Sequence, residues 1–158
     1  GYDGQPLDLE TLQYLDETTL DHSKAQIEKM IQAAWADYQD VFKSDQIDIN
    51  LLNAVDKHFD KKKVIEIVKA SDPSDFSNLY LVSVCDFGSM LCYLFSQNRD
   101  FGWLYSYPYF HSIIVHEPTG FGITVFDWAV KKFSNYGVND GYVAKYHAAI
   151  EAIRNHKP

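Results

Sequence analysis

Cysteine is almost absent from this chain. Cys85 and Cys92 are the only two, which excludes a disulfide framework and points to a reducing, cytoplasmic compartment. Long apolar runs are missing as well. None approaches the roughly 18 residues of a membrane-spanning helix, so no membrane is expected among the partners. No signal-peptide pattern is visible, although the chain opens GYDG without a methionine and is compatible with a trimmed, exported form. No internal repeat, low-complexity tract or long linker interrupts it. Residues 1–158 therefore read as one globular domain, with residues 1–22 as a loosely ordered segment.

Basic charge is scarce. Lys and Arg number 14 against 22 Asp and Glu, for a net charge of −8. The imbalance is local. Residues 1–60 hold 13 acids and 4 Lys/Arg, whereas residues 61–158 hold 9 acids and 10 Lys/Arg. Nucleic acid is thus a poor partner for the first part, because phosphate binding needs clustered Lys and Arg. A basic protein surface is the better electrostatic match.

Catalytic and cofactor motifs are missing too. There is no GxxxxGK[ST], GxGxxG or GxSxG pattern. The DFG at 86–88 stands without the other kinase elements in a chain too short for them. Cys85 and Cys92 share a helix face about 10 Å apart, too far for a shared zinc or a disulfide. His111 and His116, five apart on a strand, face opposite ways. No metal and no cofactor are expected.

What is present has clear periodicity. Ser23 to about Phe42 repeats apolar residues at helical spacing, with Glu28, Asp37 and Asp40 on the remaining surface. Asp48 is placed to cap a second helix that buries Leu51, Leu52, Val55 and Phe59. VIEIV at 64–68 fits either a helix turn or an edge strand, after a break at DKKK. Phe76 to Gln97 is apolar on nearly every side and reads as a buried central helix, with Gly88 marking a close backbone neighbour. Residues 101–107, 110–117 and 121–126 are β-branched and aromatic, joined in part by the turn EPTG at 117–120. Two helices follow, the first burying Trp128, Val130 and Phe133, the second starting near Asn139 or Asp140. The expected fold is α+β: N-terminal helices and a buried central helix on a three-stranded antiparallel meander, then two C-terminal helices.

Two functional expectations follow. The leading one is a non-enzymatic interaction domain that docks a basic protein partner through Glu28, Asp37, Asp40, Asp45 and Asp48. The alternative is a small-ligand-binding domain or hydrolase-like enzyme with a pocket on the sheet, lined by Asp86, Tyr105, Tyr107 and His111. Asp86 is the anomaly that motivates it. A carboxylate inside an apolar helix must be paired, hydrogen-bonded or protonated. Arg99 and Lys131 are the expected partners if its role is structural. In size, acidity and helix–meander–helix plan the chain resembles small bacterial domains, some of which are immunity proteins that neutralise toxins. That resemblance is one of type, carried by no motif.

Overall fold

Helical periodicity in the first half of the chain becomes three helices among the described residues. The computed structural model describes residues 20–75, 77–97, 100–104, 111–134 and 137–155. Residues 1–19 of the expected loosely ordered segment lie outside them. Helix α1 spans Leu20–Phe42 and buries Ile27, Met30, Ala34 and Tyr38, one apolar stripe at helical spacing. It stops where Lys43 turns left-handed, with φ 53°. Helix α2 spans Ile49–His58, and the Asp48 side chain caps it by accepting from the Leu51 N–H at 2.9 Å.

DKKK does not break the chain into a loop. Asp60 is an N-cap, accepting from the Lys63 N–H at 2.9 Å, and helix α3 runs Lys61–Ala70. VIEIV is its body. Three lysines in a first turn oppose the helix dipole, and the cap offsets that by satisfying an orphan amide. Ser71 then ties α3 to the next helix. Its hydroxyl donates to the Ile67 carbonyl at 2.7 Å and accepts from the Tyr80 N–H at 2.9 Å.

Helix α4, Leu79–Ser96, is the centre of the domain. Its start is set by Asn78, which accepts from Leu81 N–H and donates to the carbonyls of Asp72 and Asp75. By length and composition alone α4 could cross a membrane, yet 67% of it is buried inside the domain. Val84, Phe87, Met90, Leu91 and Cys92 are fully covered. Gly88 does mark a close approach, but to a side chain rather than a backbone. A Cβ there would sit 2.7 Å from the Phe126 ring.

Strands β1 (Phe101–Leu104), β2 (Ile113–His116) and β3 (Phe121–Ile123) form an antiparallel meander in the order β1-β2-β3. Trp103 pairs with Ile114 and Ile114 with Ile123, which places Ile114 and Ile123 on the buried face. EPTG forms the expected turn, with Gly120 at φ +74°. The strands are shorter than the sequence pattern suggests. The third ends at Ile123, because Val125 already opens helix α5, Val125–Lys132. Helix α6 spans Tyr142–Asn155. The fold is α+β, with six helices and a small sheet among the described residues.

One charge sits inside the core. Lys132 is 1% exposed. Its ammonium donates to Asp56 Oδ1 at 2.5 Å, to the Asp56 carbonyl at 2.9 Å and to the Val138 carbonyl at 3.1 Å. Asp56 Oδ2 accepts from the Tyr142 N–H at 3.0 Å, which caps α6. Removing one partner strands the other. Lys132→Met is expected to lower stability by about 3 kcal/mol in urea unfolding, and adding Asp56→Asn should restore part of that loss. A loss in the double variant equal to the sum of the two single losses would show that the pair is not coupled.

Candidate functional site

The central helix is not covered all round. Leu79, Val82 and Asp86 follow at i, i+3 and i+7, so they share one strip of α4. Leu79 is 53% exposed and Val82 39%. Together they floor a cleft of about 420 Å³ between α1, α3 and the end of α2. Val41, an exposed large apolar side chain of α1, also lines it. Phe42 and Phe59 line it as well. Three of the six large apolar side chains exposed among the described residues thus meet at one place.

The polar groups converge there too. Asp37 and Asp40 enter from α1, His58 from α2, Lys63 from α3 and Asp86 from α4. Asp86 and Asp37 both line the cleft. Burial first, then hydrogen bonding to Asp37 and its charge, push the Asp86 carboxyl up to about 8, so it keeps its proton at neutral pH. Tyr38 lies beside the pair. It is 3% exposed, and its hydroxyl has no hydrogen-bond partner among the described residues. Burial, and then the charges of Asp86 and Asp37, hold its ionisation well above the usual range, so it stays a neutral phenol.

His58 is fixed by aromatic contacts. Its ring stands edge-on to Phe42 at 5.3 Å and to Phe59 at 4.8 Å. Ser83 also lines the cleft, but no hydrogen bond joins it to His58 among the described residues. A nucleophile–base pair is therefore not assembled.

The expected acidic set is divided. Asp37 and Asp40 reach the cleft. Glu28 is nine residues before Asp37, about half a turn round α1, and faces away. Asp45 borders a separate recess with Trp35 and Tyr93. Asp48 is occupied as the cap of α2. The expected sheet pocket is not where Asp86 lies, because α4 turns that residue toward α1. His111 is exposed, one residue before the inward-facing Ser112, and does not line the Asp86 cleft. Tyr105, Tyr107 and Arg99 lie outside the described residues. Lys131, the other expected partner of Asp86, is exposed on α5.

The remaining candidate groups have structural roles. His116 is buried, with Nδ1 2.8 Å from Thr119 Oγ1 and Nε2 4.0 Å from Asp100. Thr119 Oγ1 also accepts from the Phe121 N–H, so the set clasps the β2–β3 turn. Cys85 and Cys92 form no disulfide, and burial pushes the Cys92 thiol well up. Among the described residues no three His, Cys, Asp or Glu side chains gather as a metal site. No protein-family model, curated protein or solved structure matches the chain.

His58, Lys63, Val41, Leu79 and Val82 carry no sequence signal that sets them apart. An exposed valine looks the same in sequence as a buried one.

The proton held by Asp86 has a measurable consequence. Between the ordinary carboxylate range and about pH 8, folded Asp86 holds a proton that the unfolded chain has lost. The folded state then binds more protons, so stability falls as pH rises through that window and levels off above it. Asp86→Asn keeps a donor toward Asp37 and has no proton to lose. It is expected to flatten the profile and to exceed the wild type at about pH 9 by on the order of 1–2 kcal/mol, partial exposure discounting the full shift. Urea unfolding across the range checks this. Parallel profiles would refute the proton held by Asp86.

Proposed function

We propose that the protein is a non-enzymatic binding domain that docks a basic protein partner through the C-terminal half of α1 and the cleft beside it. The supporting observation is the meeting of Asp37, Asp40 and Asp86 with exposed Val41, Leu79 and Val82 around one concavity. Acids supply attraction and register, and the apolar side chains supply area to desolvate. The charge asymmetry of the chain supports the same polarity of partner. A toxin-neutralising immunity role is the special case in which that partner is a basic toxin. Glu28, Asp45 and Asp48 are peripheral to this site: the first faces away, the second borders another recess and the third caps a helix.

A second reading has one observation in its favour. About 420 Å³ is enough for a small molecule. The cleft would then hold a small cationic ligand, and the hydrolase-like variant of that reading would need Ser83 and His58 to come together.

Charge reversal separates the readings. The immobilised domain, exposed to lysate of its source at about 0.05 M and about 0.5 M salt, is expected to retain a basic protein at the lower salt and to lose most of it at the higher. Asp37→Lys/Asp40→Lys should weaken that partner's affinity by about 100-fold or more, whereas Glu28→Lys should leave it within about threefold. Val82→Arg should also abolish retention by closing the cleft. Capture that ignores both the reversal and Val82→Arg would sink the docking face.

A further inference from the structure

We infer that the cleft face is self-complementary and that a second copy of this chain covers it, the C-terminal half of α1 from each copy lying over the cleft floor of the other. This goes beyond the docking reading but uses the same face, so a second copy and a basic partner exclude one another there. Charge is divided across the cleft. Helices α1 and α3 both pack against α4, and the cleft lies between them. Asp37, Asp40 and Val41 stand at i, i+3 and i+4, one strip of α1. Lys63 lines the other side, in the first turn of α3, and Lys61 and Lys62 are exposed in the same turn. The two walls thus carry opposite sign, with exposed Val41, Leu79 and Val82 between them.

The walls do not answer each other within one chain. Among the described residues Asp37, Lys61, Lys62 and Lys63 make no ion pair. Asp40 meets Lys43 at 3.8 Å, with the two side chains 87% and 80% exposed, a pair that contributes little.

A two-fold axis supplies the missing partners. It brings the Lys61–Lys63 turn of the second copy to Asp37 and Asp40, sets Leu79 and Val82 of that copy under Val41, and repeats both contacts in the opposite direction. Each copy offers a convex rib, α1, and a concave floor, α4, so the two clefts do not meet as empty hollows. Apolar side chains lie at the centre and charges at the rim, where ion pairs fix register while the centre is desolvated. A uniformly basic surface answers Asp37 and Asp40 but brings like charge to Lys63. A second copy carries both signs at the places that need them. The net charge of −8 on each copy opposes approach. At about 0.15 M salt, exposed charges more than about 8 Å apart are largely screened, so the contacts decide.

Sedimentation velocity on the whole protein, from about 2 µM to about 1 mM at about 0.15 M salt and pH 7, tests this. The wild type is expected to pass from monomer to dimer with a Kd on the order of 10–100 µM. Asp37→Lys/Asp40→Lys should weaken self-association by about 30-fold or more, because both walls are then basic. Lys61→Glu/Lys62→Glu/Lys63→Glu should do the same with both walls acidic. Acids in a first turn suit the helix dipole, so that variant keeps α3 folded and decides the matter even if the aspartate variant does not fold. An equimolar mixture of the two variants should form a heterodimer within about threefold of the wild-type affinity, since every contact is again between opposite charges. Val82→Arg should leave the protein monomeric. A wild type that stays monomeric at about 1 mM would overturn the inference. So would a dimer that survives either reversal, which would form elsewhere, as through the edge strand β3, or a mixture that fails to associate. A monomer that still captures a basic partner in a charge-sensitive way removes the second copy and leaves the docking face standing. A dimer restored by mixing, in a protein that captures no partner, removes the docking reading and leaves the dimer.

Discussion

Lys132 places a full positive charge in the middle of the helical layer, and the groups that answer it come from three separate parts of the chain. Asp56 reaches it from α2, the Val138 carbonyl from the segment after α5, and Asp56 in turn holds the first amide of α6. The ammonium also lies 5.8 Å from the Tyr142 ring. Such a pair is weak evidence for net stability, because desolvation cancels much of the attraction. Its effect is on register. No other rotation of α5 gives Lys132 its three acceptors, so α2, α5 and α6 are locked in one relation. An aromatic series follows from that lock: Phe59 on Phe133 at 5.1 Å, Phe133 on Phe87 at 6.0 Å, Phe87 on Tyr142 at 5.3 Å. Phe59 is the far end of that series and a wall of the cleft. The buried cation therefore reaches the candidate site through packing.

Much of this was legible in the chain because it is local. Stripe spacing predicts α1 and α2, Asp48 predicts a cap, and EPTG predicts a turn that only its last glycine makes easy. Lys132 was legible in principle, since it sits at i+3 from Ala129 and i+7 from Val125, both buried. Residue type argues the other way, and Lys131 next door takes the exposed position that either lysine could have had. DKKK reads as a break because three like charges repel, yet one capping aspartate is enough to start α3 there. The third strand was overrun because VFDW has strand-like residues, whereas tertiary packing of Val125 and Phe126 against α4 makes it helical.

The site was half legible for a different reason. Asp86 announces itself as a charge in an apolar helix, and Asp37 as one acid among many. Their meeting depends on the crossing of α1 over α4 and spans 49 positions, which no spacing rule reaches. Partners chosen by charge alone, Arg99 or Lys131, are the reasonable expectation for a buried carboxylate. What faces Asp86 is another acid. Such an arrangement works against the stability of the α1–α4 seam, and a domain whose other buried charge is fully answered has no packing reason to keep it. That contrast is the physical ground for placing function at the seam.

The aromatic stretch at 101–128 offers a competing location. Several of its described rings, however, turn inward: Phe101 packs on Phe95 and His116, Trp128 on Phe95 and Tyr142, and Phe126 against Gly88. Two of the positions on the opposite face of the short strands are glycines, Gly102 and Gly122, which cannot grip a ligand by side chain. Those rings hold α4 and α5, while Leu104 and Phe121 stay exposed on the sheet. Val41, Leu79 and Val82, three of the six exposed large apolar side chains among the described residues, lie instead in one cleft with Asp37 and Asp86. An apolar patch next to an unanswered polar group has the composition of a surface that another molecule completes.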